Sequence, residues 1–137
     1  MALPFRTTRR IEFADTDMAG IAHFTSFFRY MEEAEHAFLR SLGLSVMMHD
    51  PEGQISWPRV NATCDFKAPV WFEQVLDVEL TIARRGRSSV TYQFTFTCED
   101  RLIAEGQITA VCCRIIPGQP PASIPLPDNF AGIQEHE

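Results

Sequence analysis

Two carboxylates, Asp15 and Asp17, stand in the stretch RIEFADTDMAGIAHF, three residues before Gly20 in the case of Asp17, and an apolar-periodic run begins near Phe24. A glycine there lets the loop fold back, which brings Asp17, about seven residues before the expected helix start, beside a helix N-terminus. Unpaired N–H groups and the positive dipole end at such a terminus favour developing negative charge. One carboxylate and a few backbone donors suffice for thioester hydrolysis. The leaving thiol, with a pKa of about 8.5 if it resembles cysteine, departs as thiolate without a general acid. An oxygen ester or an amide requires a proton donor. The carboxylate attacks the carbonyl or deprotonates a water, while the amides polarise the carbonyl oxygen. The same spacing also has a structural reading, in which Asp15 or Asp17 forms an Asx-turn between a strand and a helix.

Other catalytic sets are missing from the sequence. It has no GxSxG elbow, no HExxH, no P-loop and no GxGxxG. His23, His36, His49 and His136 are too scattered for a metal site by spacing, so no metal is expected. Glu32 and His36 are one helical turn apart and could share a ligand, but they fit a solvated charged face better.

The elements that must position these groups follow from periodicity. Residues 10–42 read as a short strand, a tight acidic turn and one long helix. Phe24, Phe27, Phe28, Met31, Ala34, Phe38, Leu39 and Leu42 recur at intervals of three and four, one buried stripe. Glu32, Glu33, Glu35, His36 and Arg40 fall on the opposite, solvated face, and Gly43 sits where a C-cap glycine is expected. Residues 44–57 contain Asp50-Pro51-Glu52-Gly53, a turn signal within a long connection, the kind of segment that forms a lid or part of a binding site.

Four strands of period two follow. The first sets Val60, Ala62, Cys64 and Phe66 against Arg59, Asn61, Thr63 and Asp65. The second sets Leu76, Val78, Leu80 and Ile82 against Asp77, Glu79 and Thr81. The third sets Val90, Tyr92, Phe94 and Phe96 against Thr91, Gln93, Thr95 and Thr97. The fourth sets Leu102, Ala104, Ile108, Ala110 and Cys112 against Glu105, Gln107 and Thr109. The links Arg85-Gly86-Arg87 and Glu99-Asp100 are short enough for hairpins, which makes the last three strands antiparallel. One helix is available to cover them. The expected fold is therefore α+β, an antiparallel sheet of about five strands wrapped around a central helix. Its edges stay unpaired, so at least a dimer that extends the sheet is expected. Residues 117–127 are Pro-rich and extended.

At 137 residues the chain is one domain by length, and a net charge of -6 leaves no basic surplus for holding a nucleic acid backbone. The N-terminus lacks an apolar run long enough for a signal peptide, and no stretch approaches the roughly 18 apolar residues of a membrane span. These features predict a soluble, cytoplasmic protein. Cys64, Cys98, Cys112 and Cys113 form no CxxC pair and fit reduced core thiols in strands.

The segment IEFADTDMAGIAHF resembles the signature of hotdog-fold acyl-CoA thioesterases, in particular the 4-hydroxybenzoyl-CoA thioesterase branch: an aromatic residue, D-x-D, two residues, Gly and an aliphatic residue. The resemblance extends over most of the chain, through the long helix, FKAPVWFEQVLDVEL, ARRGRSSVTYQF and the LPDNF-like end. It implies a single hotdog domain over residues 1–137 that hydrolyses an acyl-CoA to an acid and free CoA, as a homodimer or homotetramer with active sites between subunits and no metal or redox cofactor. By position, Asp17 matches the catalytic carboxylate, nucleophile or general base. Gly20 belongs to the same motif, and Phe24 matches the residue whose backbone N–H binds the thioester oxygen. Arg84, Arg85 and Arg87 fall where the branch carries basic residues that meet the CoA phosphates, although a solvated hairpin tip reads the same way. Glu32 lies where the 4-hydroxybenzoyl enzymes have an acidic residue receiving the substrate hydroxyl. A related group has a histidine seven residues after the catalytic Asp. Here Phe24 takes that place and His23 comes one earlier, which casts His23 as an acyl-pocket wall or a helix cap. Phe27, Phe28, Trp57 and residues 44–57 are expected to shape the pocket. The competing functions are a non-catalytic acyl-CoA-binding or regulatory module on the same scaffold, and dehydration of a hydroxyacyl thioester, against which the D-x-D motif argues.

Overall fold

The structure is a computed structural model describing residues 3–133; His136 falls outside them. The residues at three- and four-residue spacing form helix α1, Ser26–Ser41, whose buried face carries Phe27, Tyr30, Met31, Ala34, Phe38 and Leu39. Gly43 ends it with a φ of 79°, where a side chain would be strained, and the Leu44 N–H donates to Leu39 O at 2.9 Å.

The strands, in chain order, are β1 (Phe5–Arg10), β2 (Met48–Asp50), β3 (Gly53–Ser56), β4 (Arg59–Phe66), β5 (Val75–Arg85), β6 (Ser89–Cys98), β7 (Arg101–Val111), β8 (Cys113–Ile115) and β9 (Ala122–Ser123). Five of them form an antiparallel sheet in the order β1-β5-β6-β7-β4. Alternate residues of β5 and β6, including Leu76, Val78, Leu80, Val90, Phe94 and Phe96, point into one core with the stripe of α1. The α+β hotdog arrangement of one long helix on an antiparallel sheet is thus present.

The helix rests on the sheet without a gap at Gly106 of β7. A β-carbon there would come within 2.5 Å of Met31 Sδ and 2.8 Å of Thr63 O. The four cysteines are free thiols in or beside strands β4, β6 and β8. Among the described residues no helix is long and apolar enough to cross a membrane.

Several details differ from the sequence reading. The first strand does precede the acidic turn but ends at Arg10, where the sequence reading began it, and Phe13–Asp15 makes a single 3-10 turn. The helix begins at Ser26, so Phe24 lies in the preceding turn and is 58% exposed. Glu35, placed on the solvated face, is fully buried, because Arg59 of β4 reaches its Oε1 across the helix–sheet gap. The row Val60 to Phe66 is not core: β4 is an edge strand, with Val60 64% and Phe66 47% exposed. In β7 the register with β6 slips between Phe96 and Thr97, turning Ile103 inward beside Ala104 and leaving Leu102 exposed. Residues 44–57 form no lid. Their turn joins β2 to β3, which pair onward with β8 and β9 as a second, four-stranded sheet. The Pro-rich tail supplies β9 and a 3-10 turn, Asp128–Phe130, whose Phe130 is buried.

Two stability predictions follow from this packing. Gly106→Ala should destabilise the fold by about 1–3 kcal/mol, since the obstruction on one side is backbone; denaturant unfolding measures it, and an unchanged midpoint would contradict the close contact. Burial pushes the Glu35 carboxyl up to about 7 from an ordinary 4.5, with the Arg59 charge and hydrogen bond opposing and the Glu32 charge adding. Between those values the folded state keeps a proton that the unfolded chain releases, so this group's contribution falls as pH rises from 4.5 to about 7. Glu35→Gln should flatten the stability profile across that window, by at most about 3 kcal/mol; a profile as steep as the native one would refute the assignment.

Candidate active site

The two motif carboxylates have different surroundings. Asp15, at the end of the 3-10 turn, is only 2% exposed. Its carboxylate accepts the Glu12 N–H and Arg9 Nη1, each at 2.9 Å, and pairs with Arg29 Nη2 from α1. Burial works against the charge, but the Glu12 N–H, Arg9 and Arg29 outweigh it and hold the Asp15 pKa below the usual value. Burial raises the Tyr30 pKa, and the Asp15 charge pushes it the same way. The Asp15 carbonyl oxygen, in turn, accepts the His23 N–H and Ser26 Oγ, each at 2.8 Å. Asp15 is thus a structural clamp between β1, the loop and the first turn of α1.

Asp17 lies two residues along on a narrow hairpin. Thr16 pairs with Ala22, the Asp17 N–H donates to Ile21 O at 2.9 Å, and the Gly20 N–H returns to Asp17 O at 3.0 Å. Gly20 holds a φ of +85°, and a β-carbon on it would meet the Trp71 ring at 3.8 Å. Asp17 Oδ1 accepts the Ala19 N–H at 2.8 Å, so the Asx-turn exists; Oδ2 has no hydrogen bond to a described residue. The hairpin is fastened to the segment after β4 by the Ala22 N–H on Val70 O at 2.9 Å and the Phe72 N–H on Gly20 O at 3.1 Å.

Asp17 borders two grooves. One, of about 530 Å³, runs between it and Phe24, Phe27, Phe66 and Lys67. The other, of about 680 Å³, is lined by Phe13, Met18, Gly20 and Phe72. The Phe24 N–H makes no hydrogen bond to a described residue. His23 closes the turn before α1: its Nδ1 accepts the Thr25 N–H at 3.2 Å and lies 2.8 Å from Thr25 Oγ1, while its ring stacks at 4.7 Å on Phe24. An unprotonated Nδ1 places the proton of the neutral ring on Nε2.

The structure therefore brings together Asp17, Gly20, Phe24 and Phe27, with His23 alongside. It does not bring the rest to them. Glu32 is exposed on α1 and lines neither groove. Trp57 is buried against Phe130, with ring centroids 5.8 Å apart, and likewise lines neither groove. Phe28 is half-buried against the core. Arg84, Arg85 and Arg87 lie at the other end of the sheet: Val75 of β5 pairs with Arg10, just before the acidic loop, while Arg85 ends the strand, roughly 30 Å away at about 3.3 Å per residue. Arg85 is tied to Phe130 O. Lys67 and the residues around Asp15 escaped the sequence reading. Only Tyr30, in step with the apolar stripe, left a signal; Arg9 and Lys67 reach the site through pairings distant in sequence. Among the described residues no cluster of His, Cys, Asp or Glu could hold a metal ion.

Residues 11–132 match the family model of the thioesterase-like superfamily. The chain belongs to that superfamily. A 1,4-dihydroxy-2-naphthoyl-CoA hydrolase from Synechocystis is 32% identical over 125 residues, 90% of each chain. An Aquifex aeolicus protein described as a putative esterase is 34% identical over 103 residues, 75% of this chain and 80% of that one. Among solved structures, a gentisyl-coenzyme A thioesterase superposes with a TM-score of 0.79 at 30% identity, covering 92% of this chain and 98% of that one. The 1,4-dihydroxy-2-naphthoyl-CoA thioesterase of Synechocystis gives 0.78 at 27%, covering 92% and 91%. The chain is a hotdog-fold thioester hydrolase, as its acidic motif implied.

Proposed function

We propose that this thioesterase acts on acyl-CoA substrates carrying a hydroxyaromatic acyl group. The observation that carries the mechanism is one groove lined both by Asp17, whose Oδ2 has no hydrogen bond to a described residue, and by Phe24, whose N–H has none either. A thioester lying there would turn its carbonyl oxygen to the Phe24 amide and its carbonyl carbon to Asp17. Asp17 then attacks that carbon, or removes a proton from a water that does. The C–S bond breaks with its electron pair leaving on sulfur as thiolate, and water accounts for the acid formed. The names of the relatives, dihydroxynaphthoyl and gentisyl thioesterases, support the acyl class, as do the rings of Phe24, Phe27 and Phe66 along the groove.

In one chain the arginine hairpin lies at the far end of the sheet from Asp17, which supports a homo-oligomer in which a second copy supplies it. Edge strand β1 carries Arg6, Arg9 and Arg10, charges that discourage further pairing. Edge strand β4 has its Arg59 paired to Glu35, keeps Asp65 as its exposed charge, and exposes Val60, Ala62 and Phe66. A second copy pairing antiparallel along β4 would set its Arg59 end beside Phe66. Because Arg59, Ala110, Val90 and Arg85 lie in one row across the sheet, the partner's arginine hairpin would arrive at the Asp17 end. It would stand about four strands, or roughly 19 Å, from the β4 seam, a reach suited to the phosphate end of CoA.

Asp17→Asn should lower kcat by roughly 10²–10⁴-fold while leaving the unfolding midpoint and CoA affinity nearly unchanged. Retained turnover would remove Asp17 from the mechanism. A native chain that binds acyl-CoAs without releasing thiol would favour the binding-module alternative. Replacing Arg84 and Arg87 together by Ala should raise KM several-fold at low salt and less at high salt. An unchanged low-salt KM would dissociate the hairpin from the phosphates.

A further inference from the structure

Lys67, the chain's single lysine, takes no part in the mechanism above. It follows β4 directly, where its own N–H and that of Ala68 both donate to Ile103 O, at 2.8 and 3.1 Å. Two bonds to one carbonyl of β7, with Pro69 next in the chain, hold the backbone in a defined place. Lys67 is exposed and lines the groove shared by Asp17 and Phe24, beside Phe27, Phe66, Ala68 and Val70.

Most cations of the described chain are already engaged. Arg6 holds Glu79, Arg9 and Arg29 hold Asp15, Arg59 holds Glu35, and Arg114 holds Asp50. Arg10, Arg85 and Arg101 donate to backbone carbonyl oxygens. The side chains of Arg40, Lys67, Arg84 and Arg87 have neither a hydrogen bond nor an ion pair with a described residue. Arg40 is in the last turn of α1, and Arg84 and Arg87 are at the far end of the sheet. Lys67 is the member of this set that stands in the groove.

An exposed ammonium at a largely apolar groove, with no ion-pair partner among the described residues, is available to an anionic oxygen that a ligand brings, and such charge-assisted contacts are stronger than neutral ones. We propose that Lys67 is a substrate-contacting residue that binds an anionic or ionisable oxygen of the thioester substrate at the Asp17–Phe24 groove. This rests on the acyl-CoA reading of the site. The oxygen has two possible sources, the CoA phosphates or a ring hydroxyl of the acyl group, and Lys67 serves both by the same chemistry.

The test measures binding of non-hydrolysable thioether analogues, so that it does not depend on turnover. The set comprises a hydroxyaromatic CoA thioether, the same acyl group on N-acetylcysteamine, which has no phosphates, and the CoA thioether without ring hydroxyls. Lys67→Met should weaken the first by about tenfold, Lys67→Arg should restore most of the affinity, and neither should move the unfolding midpoint. A loss that disappears with the N-acetylcysteamine ligand identifies the phosphates. A loss that disappears with the hydroxyl-free ligand identifies the acyl oxygen. Equal affinity of native and Lys67→Met protein for the first ligand overturns the proposal, as does an equal loss on all three, or an arginine variant as weak as the methionine one. Thiol release by the native protein, assayed separately, bears on the hydrolase reading alone.

Discussion

Asp15 keeps an ionised side chain where there is almost no water, because Arg9, Arg29 and the Glu12 amide converge on it from a strand, a helix and a turn. Two arginines share the compensation of this one buried carboxylate, and losing both would leave its charge unpaired in a place of low polarity. Its carbonyl oxygen, through His23 and Ser26, also determines where α1 starts. The free Phe24 amide and the position of the Asp17 hairpin both depend on that single junction. The first aspartate of the D-x-D motif is therefore the anchor, and the second is free to face a ligand because the first does not have to.

The rest of the fold supplies a stiff platform for this junction. The stripe of α1 shares one core with the five-stranded sheet, and the absence of a side chain at Gly106 lets Met31 settle onto the strands. Apolar surface left exposed is concentrated near the acidic loop, on Phe13, Met18, Phe24, Phe66, Trp71 and Phe72. A patch of that composition surrounds the two grooves that Asp17 borders.

The small sheet of β2, β3, β8 and β9 does a different job. It covers the end of the core away from the acidic loop, where Trp57, Phe38 and Phe130 pack together. The turn signal at residues 50–53 was legible, but what the turn connected was not. A short hairpin becomes stable here by pairing with β8, more than fifty residues further on, and no local pattern records that partner.

The sequence by itself determined the elements with strong period: helix α1, strands β5 and β6, the hairpins between β5, β6 and β7, and an acidic motif specific enough to name a family. These are properties of neighbours within a few residues, where apolar spacing and turn chemistry act directly. Tertiary structure alone decided which carboxylate is buried and which borders a groove, that Glu35 turns inward to Arg59, that Val60 and Phe66 lie on an open edge, and that Lys67 lines the same groove as Asp17 while the arginine hairpin lies at the other end of the sheet. Each of these depends on which distant segment arrives opposite a given residue, and that is settled by strand order and register across the whole sheet.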